Sequence, residues 1–167
     1  IILKRRLINE LPAGIHRHAV QPKRIGSFPQ QFLRREIEKK LFLSYQMDPT
    51  NYASYGAYFL FLHESSLGTR KNNLAHARKL AEVTTACCMR EQENPLALLT
   101  AAVASHDMIE ILIEEESPEF TSLAPQYAAI TGHCLKKFQK VVRNMAADGT
   151  WERFSPARQE EMSERVH

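Results

Sequence analysis

The chain has 167 residues, 44% of them hydrophobic and 25% charged, with a net charge of +3. That is an ordinary globular composition, long enough to bury a core without disulfide or metal staples, and six Gly with eight Pro exclude a collagen-like or low-complexity chain. Of the three cysteines, Cys87 and Cys88 are adjacent and Cys134 stands alone, which excludes a secreted disulfide framework and points to reduced core thiols in a cytoplasmic protein.

The charge is unevenly spread. Residues 1–40 hold ten Lys/Arg against three Glu, a net of +7, and the remainder holds twelve Lys/Arg against sixteen acids, a net of −4. Residues 1–30 also carry Pro12, Gly14, Pro22, Gly26 and Pro29, which punctuate regular structure. The expectation is a basic extended arm over 1–30 and a single helical domain over 31–167. The chain opens on Ile1 rather than Met, as expected of a processed chain or a piece of a longer one.

From Phe32 onward, Leu33, Ile37, Leu41 and Tyr45 recur every four residues between charges, which predicts an amphipathic helix ending at Asp48-Pro49. A second, aromatic-rich helix is predicted over 51–65, closed by Gly68. Asn72-Asn73 offer caps for a third over 74–92, with His76, Leu80, Val83 and Cys87 on its inward face. Asn94-Pro95 is a start signal for a fourth helix, to about 115. Ser117-Pro118-Glu119 opens a short segment before a long helix over 125–147, which Asp148-Gly149 stops. Ser155-Pro156 starts a final charged helix at 156–166. No strand alternation and no fixed-period repeat competes. The prediction is all-α: a compact orthogonal bundle of about six helices behind an irregular basic N-terminal arm. No apolar run approaches the roughly 18–20 residues that span a bilayer, so no membrane span is expected.

Chemistry concentrates in a few residues. Only three aspartates occur, Asp48, Asp107 and Asp148, and one follows a histidine as His106-Asp107. That pair sits in the apolar fourth helix, where an ionised carboxylate needs compensation. His76 shares the face of Leu80 and Val83. On the long helix, Cys134, Phe138, Val141 and Met145 lead down one line to Asp148. Three helices could deliver His76, His106, Asp107 and Asp148 to one point, and two imidazoles with two carboxylates suit a divalent metal ion. The bland alternative stands beside this one: His76 and His106 at the surface, Asp107 paired or capped, and Asp148 before Gly149 as an ordinary helix terminus.

The pattern resembles the HD-domain metal-dependent phosphohydrolases. His76-Ala77-Arg78-Lys79-Leu80-Ala81 is similar to the family's first ligand helix. His106-Asp107-Met108-Ile109-Glu110 is similar to its His-Asp-x-x-Glu subgroup, which includes 5′-deoxynucleotidases. Val141 to Asp148 is similar to the segment with the terminal ligand. The resemblance covers about residues 70–150. It implies a divalent metal ion on those four residues, Glu110 assisting proton transfer, and a metal-bound water attacking a phosphate ester of a nucleotide or related substrate. Arg70 and Lys71 are the nearest cations for the phosphate.

A second reading is a non-catalytic helical interaction module, an adaptor or regulator in a larger assembly. The aromatic helix and the basic arm would be its contact surfaces, the arm docking on a protein partner. A third has residues 1–40 meeting nucleic acid through phosphate neutralisation. The sequence names no oligomeric state.

Overall fold

The computed structural model describes residues 27–64 and 69–164. Most of the expected arm, residues 1–26, lies outside the described residues, as do Gly68 and the chain end after Glu164. The described residues form six α-helices and one 3-10 turn, with no strand. In chain order these are α1 (Ser27–Met47), α2 (Tyr52–His63), α3 (Arg70–Cys88), α4 (Pro95–Glu114) and α5 (Phe120–Ala147), then the 3-10 turn Trp151–Arg153 and α6 (Pro156–Glu164). The all-α expectation is met. Helix α1 begins at Ser27, so 27–30 are helical rather than extended; a proline in a first helical turn lacks only an N–H that would have had no partner there.

Of the unit Ile1–Arg35, the described part is the start of α1. The packing that follows is that of the compact unit Glu36–His167.

Local chemistry sets the helix starts. The Asn51 side chain accepts from the Ser54 N–H at 3.0 Å, and Asn94 accepts from the N–H groups of Leu96 and Ala97 ahead of Pro95. The cap of α3 is Thr69, which accepts from the Asn72 N–H. Asn72 and Asn73, expected as caps, are already helical, and Asn73 is buried. Helix α5 starts at Phe120, not at Pro125, which sits inside it. Gly149, at φ +73°, adopts the left-handed turn that ends it.

Helix α4 is the central element and packs against α2, α3 and α5. Its alanines are the reason: Ala97, Ala101 and Ala104 are fully buried, as are Ala77 and Ala81 of α3, so neighbouring backbones approach closely. Ser105 then bridges to Thr131 of α5 at 2.8 Å, and Thr100 donates to the Thr50 carbonyl at 2.6 Å. At the far end Met162 of α6 is buried among Leu98, Phe138 and Val141. Helix α4 also corrects the reading of apolar runs. At 20 residues and a mean hydropathy of 1.7 it is long and apolar enough to cross a membrane by length and composition, yet 61% of that stretch is buried inside the bundle.

Two facial assignments need correcting. The buried side of α3 is Leu74, Ala77, Leu80, Ala81, Thr84 and Cys88. His76 and Val83 are exposed and Cys87 is half-buried, so the inward face is rotated by about one residue, or ~100°, from the expected line. On α5, Cys134, Phe138 and Val141 are buried as expected, but Asp148 at the end of that line is exposed. The cysteines are free thiols. Burial pushes Cys88 up to about 12 and also raises Cys134, so both are inert at neutral pH.

Candidate functional site

Two of the residues expected to hold a metal, Asp107 and Asp148, are engaged by other partners, and the two histidines are exposed. Asp107 is half-buried on α4, and its Oδ2 accepts a 2.8 Å hydrogen bond from the Tyr55 hydroxyl of α2. Tyr55 is fully buried. Its phenol is pushed well above the ordinary tyrosine range by burial first and by the Asp107 carboxylate second, so it remains a donor. That bond supplies compensation for the aspartate.

Neighbouring helical residues point about 100° apart. With Asp107 turned to Tyr55, His106 faces solvent with 61% of its side chain exposed, 3.8 Å from Glu110 one turn on. Glu110 is itself 53% exposed. His76 is exposed on the outer side of α3. Asp148 closes its own turn, accepting from the Thr150 N–H at 2.9 Å and from the Thr150 hydroxyl. Those bonds lower its pKa below the usual aspartate value.

No group of three or more His, Cys, Asp and Glu side chains among the described residues is placed to hold a metal ion. The residues His76, His106, Asp107 and Asp148 therefore do not fit a divalent ion in this arrangement, and no step is derived through one. Glu110 touches no such centre.

Arg70 and Lys71, expected beside a phosphate, also have other surroundings. Arg70 belongs to a polar tie that the sequence did not announce. His63, the last residue of α2, is buried and stacks on Phe59 with centroids 5.7 Å apart. Its Nε2 lies 2.7 Å from Glu114 Oε2 at the end of α4. Arg70, at the start of α3, donates to the His63 carbonyl and pairs with Glu114. One His, one Arg and one Glu thus fasten the ends of three helices together. The available signal was only a histidine ending an aromatic helix and a glutamate opening the run Glu114-Glu115-Glu116. Arg78 makes a parallel tie to Glu115 and Glu119. Lys71 is exposed beside a shallow depression bounded by Leu74, Glu115, Ser117 and Pro118.

Burial opposes ionisation of Glu114, but hydrogen bonds from Arg70 and His63, with their charges, outweigh it and hold the carboxyl below its usual value of 4.5. A folded pKa below the unfolded one means that the unfolded state binds the proton more readily. The tie therefore contributes stability above about pH 4.5 and loses it as pH falls through the folded pKa. Glu114 is 40% exposed, so screening limits the effect to about 1 kcal/mol or less. Glu114→Gln is expected to lower urea stability by that amount at pH 7. The gap between wild type and variant should narrow as pH falls below about 4.5 in parallel denaturation curves, whereas a gap that stays constant with falling pH would show that ionisation contributes nothing.

A different feature has the geometry of a receptor. The C-terminal half of α1, with α2 and α3, encloses an open groove of about 390 Å³. Its base is the buried trio Tyr45, Leu62 and Leu80, and its walls are Phe42, Tyr58 and Val83. Tyr58 stands between Phe42 and Tyr45 at centroid distances of 5.8 and 6.0 Å. The Tyr45 hydroxyl is satisfied by Thr84 at 2.9 Å, so it leaves no unmet polar group at the base. Glu38, His76 and Lys79 supply the polar rim. Comparison with protein-family models, curated proteins and solved structures gives no match to this chain.

Proposed function

We propose that this chain is a non-catalytic helical interaction module that receives an apolar segment of a protein partner in the groove of α1, α2 and α3. The observation that supports it is the exposure of large apolar side chains around a preformed concavity. Phe42 and Val83 remain 42% and 46% exposed on its walls, and clustered apolar exposure with a polar rim is characteristic of binding surfaces. The hydrolase reading has no comparable geometry behind it, because its four ligand positions have other surroundings. Of the ten Lys/Arg of residues 1–40 on which a nucleic-acid reading leans, the six within 1–26 lie outside the described residues.

The groove's chemistry defines the partner. Aromatic walls of tilted rings favour a bulky aromatic or aliphatic anchor. Glu38 on one rim favours a cation on the incoming segment, and Lys79 on the other favours an acid. An amphipathic helix with an apolar stripe and charges of both signs meets these demands.

The test is selection of displayed peptides on the full chain, followed by affinity measurement on Val83→Glu and Phe42→Ala. Selected peptides are expected to carry an aromatic or leucine anchor and to lose at least about tenfold in affinity on either variant, the penalty of a charge or a lost ring at a buried anchor. Binders indifferent to both substitutions would overturn the assignment. So would a manganese- or zinc-dependent rise in melting temperature that Asp107→Asn abolishes, since that would place a metal where the interaction reading has none.

A further inference from the structure

Helix α5 is cationic along its solvent side and carries no acid at all. From Phe120 to Ala147 it contains Lys136, Lys137, Lys140 and Arg143 but neither Asp nor Glu. Outside α5, residues 41–167 hold eight Lys/Arg against sixteen acids, so the positive charge of an acidic unit is concentrated on one helix. At 3.6 residues per turn, His133, Lys136, Lys137, Lys140, Arg143 and Asn144 fall within an arc of about 120°, turned away from the buried Cys134, Phe138 and Val141. Five of the six are exposed, and Lys137 is half-buried and paired with Glu93 at 2.8 Å. Among the described residues, Lys136, Lys140 and Arg143 have no carboxylate within ion-pair distance. A solvated helix face ordinarily interleaves the two signs, as α1 does with Lys39–Glu36 and α3 with Lys79–Glu82. The face of α5 has no such internal pair.

We infer that this face binds the phosphate backbone of duplex DNA without reading its sequence. All six residues belong to the unit Glu36–His167. Attraction comes from the single sign, because each phosphate neutralised by Lys or Arg releases condensed counterions. Lys136 to Arg143 rise about 10 Å along the helix, and over that length a duplex presents about six phosphates on its two strands.

The composition of the arc selects this polyanion over others. The exposed large hydrophobic residue of α5 is Phe120, more than about four turns before Lys136. A protein partner needs an apolar or aromatic anchor, and lysine is depleted from such interfaces. A membrane surface needs Trp, Phe or Leu to insert, and a single strand needs rings on which its bases stack. Protein–DNA interfaces are polar and strongly positive, and Asn144 adds an amide donor for a phosphate oxygen. The B-form major groove, about 12 Å wide, admits a helix, whereas that of an A-form RNA duplex is too narrow.

The experiment is fluorescence anisotropy of a mixed-sequence DNA duplex titrated with the full chain from about 50 to 200 mM NaCl, with circular dichroism to confirm that each variant folds. Wild type is expected to bind at about 1–100 μM, the range of non-specific contact. Lys136→Gln with Lys140→Gln should weaken binding at least about tenfold at the lowest salt and reduce the slope of log K against log salt by about 1.8, near 0.9 for each lost contact. Lys40→Gln with Lys71→Gln removes the same charge elsewhere and should leave that slope unchanged. A wild type that does not bind, a slope indifferent to the α5 pair, or an equal loss in the Lys40 and Lys71 pair would each overturn the inference. Competition by duplex RNA, polyglutamate or phosphatidylserine vesicles as strong as by DNA would overturn it too. No residue of this face lines the groove, so failure here leaves the interaction-module reading standing, and loss of peptide binding in Val83→Glu leaves the DNA contact standing.

Discussion

Tyr55→Ala is expected to lower the stability of the folded chain by about 3–5 kcal/mol, the usual cost of deleting a buried aromatic ring. For a domain of this size that is a fall of roughly 10–15 °C in melting temperature. Tyr55 is fully buried within the cluster that includes Phe59, Ala77, Ala104 and Met108. Its ring lies 5.7 Å from that of Phe59, and its hydroxyl reaches across to Asp107. The conservative variant separates the two roles. Tyr55→Phe keeps the ring and removes the donor, which should cost about 1.5 kcal/mol, near the lower bound for a bond to a charged acceptor. The lower bound applies because Asp107 is half-exposed and can turn partly to water. The pH dependence has a defined sign. The folded phenol titrates well above the ordinary value of 10.0, so the folded state holds its proton more tightly than the unfolded state. Stability from this group is present below about pH 10 and falls as pH rises beyond it. Chemical denaturation of wild type and both variants between pH 7 and 11 checks all three statements. Equal unfolding free energies for Tyr55→Phe and wild type would mean that the bond contributes nothing.

The same bond explains why the sequence pointed toward a metal. A His-Asp pair inside an apolar helix announces a carboxylate that needs compensation, and that much was legible. The identity of the compensating group was not. Tyr55 is 52 residues away and sat within an aromatic run, where each ring reads equally as core. Pairing of this kind is set by how α2 crosses α4, which no local pattern encodes. Helix starts were legible where a cap and a proline coincide, as at Asn94-Pro95, and displaced where a side chain had a stronger competitor. Thr69 took the cap of α3 that Asn72 and Asn73 were expected to supply, and Asn73 became a buried helical residue instead. The tie of His63, Arg70 and Glu114 was illegible for a related reason. It joins three helix ends, each of which looks solvated when read alone.

Ala77→Leu is expected to cost about 2–3 kcal/mol, or roughly 5–10 °C in melting temperature, whereas His76→Ala, one position earlier, should stay within about 0.5 kcal/mol. Large residues at helical spacing put the expected inward line of α3 through His76, Leu80, Val83 and Cys87. The chain places small residues there instead. Ala77 and Ala81 are fully buried, and Ala104 of α4 is fully buried in the same cluster. An alanine seam gains its stability from close backbone approach rather than from side-chain area, so hydropathy undervalues it. Three extra carbons at position 77 must go into space already filled, since protein interiors pack at crystal-like density. Leucine would either adopt a strained rotamer or push α3 away from α4, and that shift would loosen the Tyr45–Thr84 bond at the base of the groove. His76, by contrast, is exposed and borders only the groove rim. Thermal unfolding of the two variants therefore reads out the rotation of the helix directly. A large loss at position 76 with little at 77 would restore the face that brings a histidine inward. The opposite result, expected here, fixes His76 outside the core and leaves the groove as the surface of α3 available to a partner.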